Sequence, residues 1–333
     1  IAVKVEYEYA DAWWYTGAGI IRDVWLTVTD KVHVNYGGTY IYTDGKSTAS
    51  IDAEIKNDTS VSKTVTVSET VLDADGKSVA SSSKRVTVPA GGIVTDTQTL
   101  NVSNAKLWDT ENPYLYTMKT ELSCDGKIVD TYTGTFGFRT IEIDPEHGFF
   151  LNGKQTKLKG AALHQDLGAL GGVSNYEGTK KRLIQLKEMG INAIRTAHNI
   201  CPPEWVELCD ELGIMMINEG IVRWLECTYF TREADQDLSG SPKTSSSPTW
   251  SEVELRNWIR RDRNHPCVIF WSIGNEVPSQ HSEEGYNIGV NLINMLNSED
   301  PQKNGLRTLA SDAMTGWSLK FAREHLDAGG YNY

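Results

Sequence analysis

The sequence predicts a multidomain chain in which an immunoglobulin-like β-sandwich precedes an incomplete (β/α)8 TIM barrel. Two patterns lead to this prediction. Residues 25–138 contain short segments in which apolar and polar residues alternate, whereas from residue 139 apolar strand segments alternate with segments of helical periodicity. Period-two alternation is typical of half-buried strands, and regular strand–helix alternation is typical of a parallel sheet.

Length and charge narrow the possible classes of function. The chain has 333 residues and a net charge of -12 at pH 7, so two or three domains are expected. The acidic balance argues against nucleic-acid binding, which needs a basic surface to displace counterions from phosphates. No apolar run approaches the roughly 20 residues that span a bilayer, so no membrane partner is expected. The five cysteines contain no CxxC pair, and we expect neither a metal site nor a cofactor.

The first part of the chain is rich in predicted strands. Residues 1–24 have the alternation of the last strands of an earlier β domain, and residues 25–138 form the predicted sandwich. Its clearest strands are Leu26–Thr29, Ala49–Ile55, Thr64–Val67, Arg85–Val88 and Leu115–Leu122. Asp75-Gly76 and Asp125-Gly126 are typical hairpin turns. About seven short strands indicate an immunoglobulin-like sandwich, but with Cys124 alone it lacks the disulfide of antibody domains.

Residues 139–333 carry the barrel pattern. Strands are predicted at Lys157–Leu163, Ile191–Arg195, Ile214–Glu219, Cys267–Ile273 and Thr308–Asp312, with a sixth around Gly329–Tyr333. Helices are predicted at Tyr176–Met189, Pro203–Leu212, Trp250–Arg260 and Glu284–Leu296. A Ser/Thr/Pro-rich insert between Thr231 and Thr249 is expected to form a loop beside the active site. Six strands indicate a barrel that is not complete.

Polar side chains follow the predicted barrel strands at the point where each strand ends. They are His164 and Asp166 after the first, Arg195, His198 and Asn199 after the second, Glu219 after the third, Asn275 and Glu276 after the fourth, and Asp312 after the fifth. Each alone has an ordinary structural explanation, such as an interior ion pair. Together they converge on the edge of the barrel where catalytic groups are found.

Other chemistries fit this set less well. A metal site built from His164, Asp166, His198 and Glu219 lacks a tight ligand spacing such as HExxH. No Gly-x-Ser-x-Gly elbow or glycine-rich phosphate loop is present. Carboxylates, amides and histidines suit the hydroxyl groups of a sugar, and Trp224 or Trp271 is expected to stack on the sugar ring.

Several motifs resemble glycoside hydrolase family 2. Trp14, Gly17, Gly19 and Ile20, followed by Arg22-Asp23-Val24-Trp25-Leu26, are similar to the junction between that family's sugar-binding jelly roll and its sandwich. Trp108, Glu111-Asn112-Pro113, Leu115-Tyr116 and Phe136-Gly137-Phe138-Arg139 resemble the end of its sandwich. Lys159-Gly160, His164, Asp166, Arg195-Thr196, His198, Arg261-Asp262, Asn264-His265-Pro266 and Gly274-Asn275-Glu276 resemble its barrel signatures. The segment from His164 to Gly171 resembles the bacterial β-galactosidase branch.

The resemblance implies a retaining β-glycosidase that acts on terminal β-galactosides, in which two carboxyl groups about 5–5.5 Å apart flank the glycosidic bond. Glu276 would be the general acid/base, and Asn275 would hold the sugar 2-hydroxyl. His164, Arg195 and His198 would line the sugar subsite, and we expect Glu219 and Asn332 to contact the substrate as well. A β-glucuronidase or β-mannosidase of the same family and a non-catalytic carbohydrate-binding protein are the alternatives. For a β-glucuronidase, Arg223 is the candidate cation for the sugar carboxylate.

The chain is expected to be a fragment, because Ile1 begins in mid-pattern and the resemblance places the nucleophile beyond Tyr333. Residues 1–24 would then be the tail of the jelly roll. We expect residues 1–333 alone to hydrolyse nothing. Open sheet edges would favour self-association, so a homo-oligomer is an open alternative. The cellular location is also open, with a periplasmic or secreted protein slightly favoured over a cytoplasmic one.

Overall fold

The computed structural model describes residues 2–4, 19–221, 224 and 249–333. The predicted alternation of residues 5–9, Trp14 and Gly17 of the junction motif, Arg223 and nearly all of the insert between Thr231 and Thr249 lie outside these residues. Within them, an immunoglobulin-like sandwich is followed by part of a TIM barrel, as the sequence predicts.

The sandwich has seven strands in two antiparallel sheets. The strands are β1 (Val32–Thr43), β2 (Thr48–Asn57), β3 (Lys63–Leu72), β4 (Ser78–Val88), β5 (Ile93–Asn101), β6 (Tyr116–Cys124) and β7 (Lys127–Phe136). One sheet has the order β1-β2-β5 and the other β4-β3-β6-β7. The prediction of a strand at Leu26–Thr29 is wrong. Leu26 and Val28 are 76% and 83% exposed, because no strand among the described residues pairs with this segment.

A layer of polar side chains divides the sandwich interior into two apolar clusters. The layer lies between an apolar cluster that includes Ile51 and a second one that includes Ile55 and Val67. Its members are buried at inward positions of β3, β5 and β6: Glu69, Asp96, Gln98 and Thr120. Thr120 Oγ1 donates to Glu69 Oε2 at 2.7 Å. Gln98 Nε2 donates to Asp96 Oδ2 at 2.7 Å, and Lys84 lies 3.0 Å from the other Asp96 oxygen. Burial raises the pKa of Glu69 to about 7.

The barrel part is a six-stranded parallel sheet whose strands follow chain order. A small antiparallel sheet comes first, made of β8 (Ile141–Asp144), β9 (Gly148–Leu151) and β10 (Lys154–Gln155). The parallel strands and helices are β11 (Gly160–Leu163), α1 (Tyr176–Glu188), β12 (Ala193–Thr196), α2 (Pro203–Leu212), β13 (Met215–Glu219), α3 (Trp250–Asp262), β14 (Val268–Asn275), α4 (Glu283–Glu299), β15 (Leu306–Ser311), α5 (Gly316–His325) and β16 (Gly330–Tyr331). The small sheet and α5 have no counterpart among the predicted elements.

The sandwich docks onto the end of the barrel at which β14 begins. Arg139, just after the sandwich, donates to the carbonyl oxygens of Pro266 and Val268, both at 2.8 Å, and burial lowers its pKa to about 10. Asn264 accepts from the Ile41 backbone N–H at 2.8 Å and donates to the Thr39 carbonyl at 3.0 Å. Because β1 is an edge strand, these backbone groups have no neighbouring strand on that side, and the side-chain amide of Asn264 pairs with them instead.

We expect the stability of the sandwich to fall as pH rises from about 4.5 to 7. The folded state keeps a proton on Glu69 in this range and the unfolded chain does not, so deprotonation disfavours the folded state. Glu69→Gln has no carboxyl group to titrate here, so it should not lose this stability. Relative to the parent protein, its local unfolding free energy should therefore rise by about 2 to 3 kcal/mol between pH 5 and pH 8. Hydrogen exchange of the β3 and β6 amides, corrected for intrinsic exchange rates, measures this difference.

Glu121→Gln is the matched control. Glu121 lies on β6 and pairs with Lys119 at a partly exposed site, so its substitution should leave the pH dependence unchanged. The prediction would be contradicted if the local unfolding free energies of the parent protein and Glu69→Gln differed by the same amount at pH 5 and pH 8.

Candidate active site

The structure places the predicted site residues at one edge of the parallel sheet. Arg195 and Glu219 lie near the ends of β12 and β13, Asn275 ends β14, and Glu276 follows it. His164 comes directly after β11, His198 is the second residue after β12, and Asn332 follows β16. All six strands are parallel and neighbouring, so their carboxyl ends meet at this edge, where barrel enzymes carry catalytic groups.

The carboxylate of Glu219 is the centre of the site. It is 0% exposed and receives hydrogen bonds from two nitrogens of Arg195, Nε at 2.8 Å and Nη2 at 3.0 Å. Ser272 Oγ donates to Oε2 at 2.7 Å, and His198 Nδ1 lies 2.6 Å from Oε1. Thr196 Oγ1 accepts from the Glu219 backbone N–H at 2.8 Å. These contacts compensate for burying a charge.

Arg195 links this carboxylate to the amide and the acid at the end of β14. Its Nη2 donates to Asn275 Oδ1 at 2.6 Å. The side-chain nitrogen of Asn332 donates to the same oxygen at 2.8 Å and to Glu276 Oε1 at 2.7 Å. Glu276 is partly exposed, has a positive φ of 47°, and donates its backbone N–H to the Ala310 carbonyl at 2.8 Å. One continuous chain of hydrogen bonds therefore runs from Glu219 to Glu276.

The two histidines lie beside this chain. The rings of His164 and His198 are 5.3 Å apart and meet edge to face. Partial burial, and then the neighbouring His198, lower the pKa of His164. A neutral His164 near pH 7 can both donate and accept a hydrogen bond, which suits a hydroxyl group.

Two tryptophans that the sequence offers as stacking platforms lie in the core instead. Trp271 is 0% exposed, donates to Asp300 Oδ2 at 3.0 Å and packs edge to face on Trp258. Trp224 is 1% exposed and donates to the Ile273 carbonyl at 3.0 Å. The expectation that either stacks on a sugar is wrong, because neither indole has a solvent-facing surface.

Two other predicted polar residues have internal partners. Arg182 donates to the Asp166 carbonyl at 2.6 Å and lies 3.9 Å from its carboxylate. Asp312 is exposed and accepts from Gln280 at 3.0 Å, with His281 Nε2 at the same distance. Among the described residues, no three His, Cys, Asp or Glu side chains are arranged to hold a metal ion. In the same part of the chain, no helix is long and apolar enough to cross a membrane.

Three residues of the site were not predicted to be site residues, although Thr196 belongs to one of the family motifs. Ser272 and Thr196 hold Glu219, and the Tyr333 hydroxyl contacts Glu276, a hydrogen bond that raises the pKa of Tyr333. Ser272 carried a usable signal, because it is the one hydroxyl in an otherwise apolar run from Cys267 to Ile273. A polar residue inside a strand buried on both faces needs a partner. For Thr196 the family motif alone was available, and Tyr333 carried no signal.

A parallel barrel sheet with acid, amide, imidazole and guanidinium groups at its carboxyl edge defines the class of TIM-barrel enzyme domains. Comparison with family models makes the assignment specific. Residues 32–139 match the model described as "Glycosyl hydrolases family 2", and residues 141–304 match "Glycosyl hydrolases family 2, TIM barrel domain". The chain belongs to glycosyl hydrolase family 2.

The chain is similar to several known proteins of greater length. A beta-galactosidase of Bacteroides ovatus is 38% identical over 85% of this chain, which spans 33% of that protein. The crystal structure of a family 2 member from Bacteroides cellulosilyticus has a TM-score of 0.85 at 30% identity, covering 96% of this chain and 42% of that one.

A third relative is known as a covalent complex. It is Bacteroides uniformis beta-glucuronidase 2 "covalently bound to cyclophellitol-6-carboxylate aziridine", with a TM-score of 0.78 at 26% identity, covering 95% of this chain and 39% of that one. A beta-glucuronidase of Bacteroides fragilis is also similar, at 29% identity over 92% of this chain and 44% of that protein. The family therefore includes relatives with both activities in their names.

We expect Glu219→Gln to destabilise the protein expressed from the complete gene. The substitution leaves Arg195 without its counter-charge, and breaking a buried ion pair costs about 3–5 kcal/mol. Calorimetry should show a clear fall in melting temperature. The matched control is Glu324→Gln, whose side chain is 45% exposed beside His325 and should change stability little. An unchanged melting temperature with a raised KM would show instead that Glu219 contacts the substrate.

Proposed function

We propose that the protein containing this chain hydrolyses terminal β-galactosides with retention of configuration, with Glu276 as general acid/base. The observation that carries this proposal is the position of Glu276. Its carboxyl group is partly exposed at the carboxyl end of β14, and Asn332 holds it beside Asn275. A carboxyl group in this position can exchange protons with a bound glycoside, while the buried Glu219 cannot.

The proposed reaction has two steps. In the first, protonated Glu276 gives its proton to the glycosidic oxygen as the bond from C1 to that oxygen breaks, and a second enzyme carboxylate bonds to C1. In the second, the Glu276 carboxylate takes a proton from water as the water oxygen bonds to C1 and the enzyme carboxylate leaves. The covalent complex of the Bacteroides uniformis relative supports such an intermediate. No described residue is assigned as the nucleophile.

The amide of Asn275 is oriented for the sugar. Its Oδ1 accepts from both Arg195 and Asn332, so its Nδ2 is turned away from these two donors. A donor in this position suits the 2-hydroxyl oxygen, whose hydrogen bonds strengthen as the oxocarbenium-like transition state forms. His164 and His198 are proposed to line the same subsite.

A neutral sugar fits the described cations better than a uronic acid. The Arg195 guanidinium is occupied by Glu219 and Asn275, and Arg182 donates to the carbonyls of His164 and Asp166. A glucuronide needs a cation that can pair with the sugar carboxylate. The Bacteroides ovatus relative, which is named a beta-galactosidase and is 38% identical in sequence, also favours a galactoside. The alternative is β-glucuronidase activity, which several relatives carry in their names.

We expect Glu276→Gln to slow hydrolysis of alkyl galactosides far more than that of nitrophenyl galactosides. A nitrophenolate leaves without being protonated, whereas an alkoxide needs the acid, so only the poor leaving group loses the contribution of roughly 10²- to 10⁴-fold from acid catalysis. Steady-state kinetics of bond cleavage in the protein expressed from the complete gene measure both rates. Cleavage must be followed separately from release of the free sugar, because the second step also uses Glu276.

Glu283→Gln is the control, since Glu283 is exposed at the first turn of α4. It should leave both rates unchanged. Equal losses on the two substrates in Glu276→Gln would remove Glu276 from the acid role. Faster turnover of a nitrophenyl glucuronide than of the matched galactoside by the parent protein would overturn the choice of sugar.

A further inference from the structure

The side chain of Asn332 makes two hydrogen bonds inside the site. Its Nδ2 donates to Asn275 Oδ1 at 2.8 Å and to Glu276 Oε1 at 2.7 Å. An amide nitrogen carries two hydrogens, so these two contacts use all of its donors. The backbone N–H of Asn332 donates to the Ser311 carbonyl at 2.9 Å, which anchors the residue to the end of β15.

These contacts act on the two residues that need the most accurate placement. Asn275 Oδ1 also accepts from Arg195 at 2.6 Å, so a rotated Asn275 amide would set its NH2 group against two donors. Glu276 has a φ of 47°, which a residue with a side chain adopts only when its surroundings hold it there. The described contacts that hold Glu276 are its backbone bond to Ala310, the Tyr333 hydroxyl and Asn332.

We infer that Asn332 is a positioning residue, which fixes the amide of Asn275 and the acid of Glu276 relative to each other, rather than a residue that binds the sugar. This inference rests on the proposed function, because it assumes that Glu276 exchanges the proton. It also differs from the substrate-binding role expected from the sequence. Both donors of Asn332 are directed at side chains of the protein, so a sugar hydroxyl could meet only its side-chain oxygen.

A positioning residue and a sugar ligand affect the kinetics in different ways. Loss of the Asn332 side chain should lower kcat more than it raises KM, because the contacts order catalytic groups and do not bind the ground-state sugar. Because the bond to Glu276 Oε1 positions the acid, its loss should slow hydrolysis of an alkyl galactoside, whose leaving group needs the proton, more than that of a nitrophenyl galactoside.

The test compares Asn332→Ala and Asn332→Asp with Glu276→Gln in the protein expressed from the complete gene. The substrates are an alkyl galactoside, for which protonation of the leaving group limits the rate, and a nitrophenyl galactoside. We expect kcat for the alkyl galactoside to fall by about a hundredfold in Asn332→Ala, and by less for the nitrophenyl galactoside. Asn332→Asp keeps the size of the side chain but has no NH2 group to donate to Asn275 and Glu276, so it should not restore the rate.

Asn287→Asp is the matched control, because Asn287 is exposed on α4, and it should leave kcat unchanged on both substrates. A raised KM with an unchanged kcat in both Asn332 variants would overturn the inference and make Asn332 a sugar ligand. Glu276→Gln separates this outcome from failure of the proposed function. If that variant loses equally on both substrates, Glu276 is not the acid. If it loses mainly on the alkyl galactoside while the Asn332 variants do not, only the role of Asn332 is wrong.

Discussion

The site depends on a carboxylate that lies inside the barrel, away from solvent. A buried charge is stable only when donors surround it, and Glu219 meets this condition with Arg195, Ser272 and His198. This requirement fixes the guanidinium of Arg195, which in turn orients Asn275. Three neighbouring strands are thereby locked at one edge. Glu276, the proposed acid, lies at the solvent-facing end of this series of hydrogen bonds. It is partly exposed, so its carboxyl group is not a buried charge.

The other end of β14 is held from outside the barrel. Arg139 binds carbonyls at the start of the strand, and Asn264 completes the backbone pairing of β1. Burying these groups is costly unless they are bonded, so a sandwich that moved away would leave them unsatisfied. The motif around Asn264 thus holds the junction between the domains, and the residues after Ile273 include the proposed acid. A single strand connects the docking of the sandwich to the candidate acid.

Much of this arrangement could be predicted, because strand ends and side-chain alternation are local properties. The run from Cys267 to Ile273 predicts β14, and its terminal Asn275 and Glu276 fall where the pattern places them. The roles of Trp224 and Trp271 could not be predicted. A strand that is apolar on both faces does not reveal which face meets the helices, and Trp271 lies on the helix side. The prediction of a strand at Leu26–Thr29 failed for a related reason. A strand forms only when another segment pairs with it, and its own sequence does not show whether such a segment is present.

The role proposed for Glu276 is to exchange the proton in a reaction that retains configuration. Azide added to Glu276→Ala, in the protein expressed from the complete gene, tests this role. A small anion can enter the space left by the carboxylate and attack C1 of the glycosyl-enzyme without general-base help. With a nitrophenyl galactoside, we expect azide to restore turnover and NMR to identify the product as β-galactosyl azide. An α-galactosyl azide would place Glu276 as the nucleophile, and no effect of azide would contradict the acid/base role.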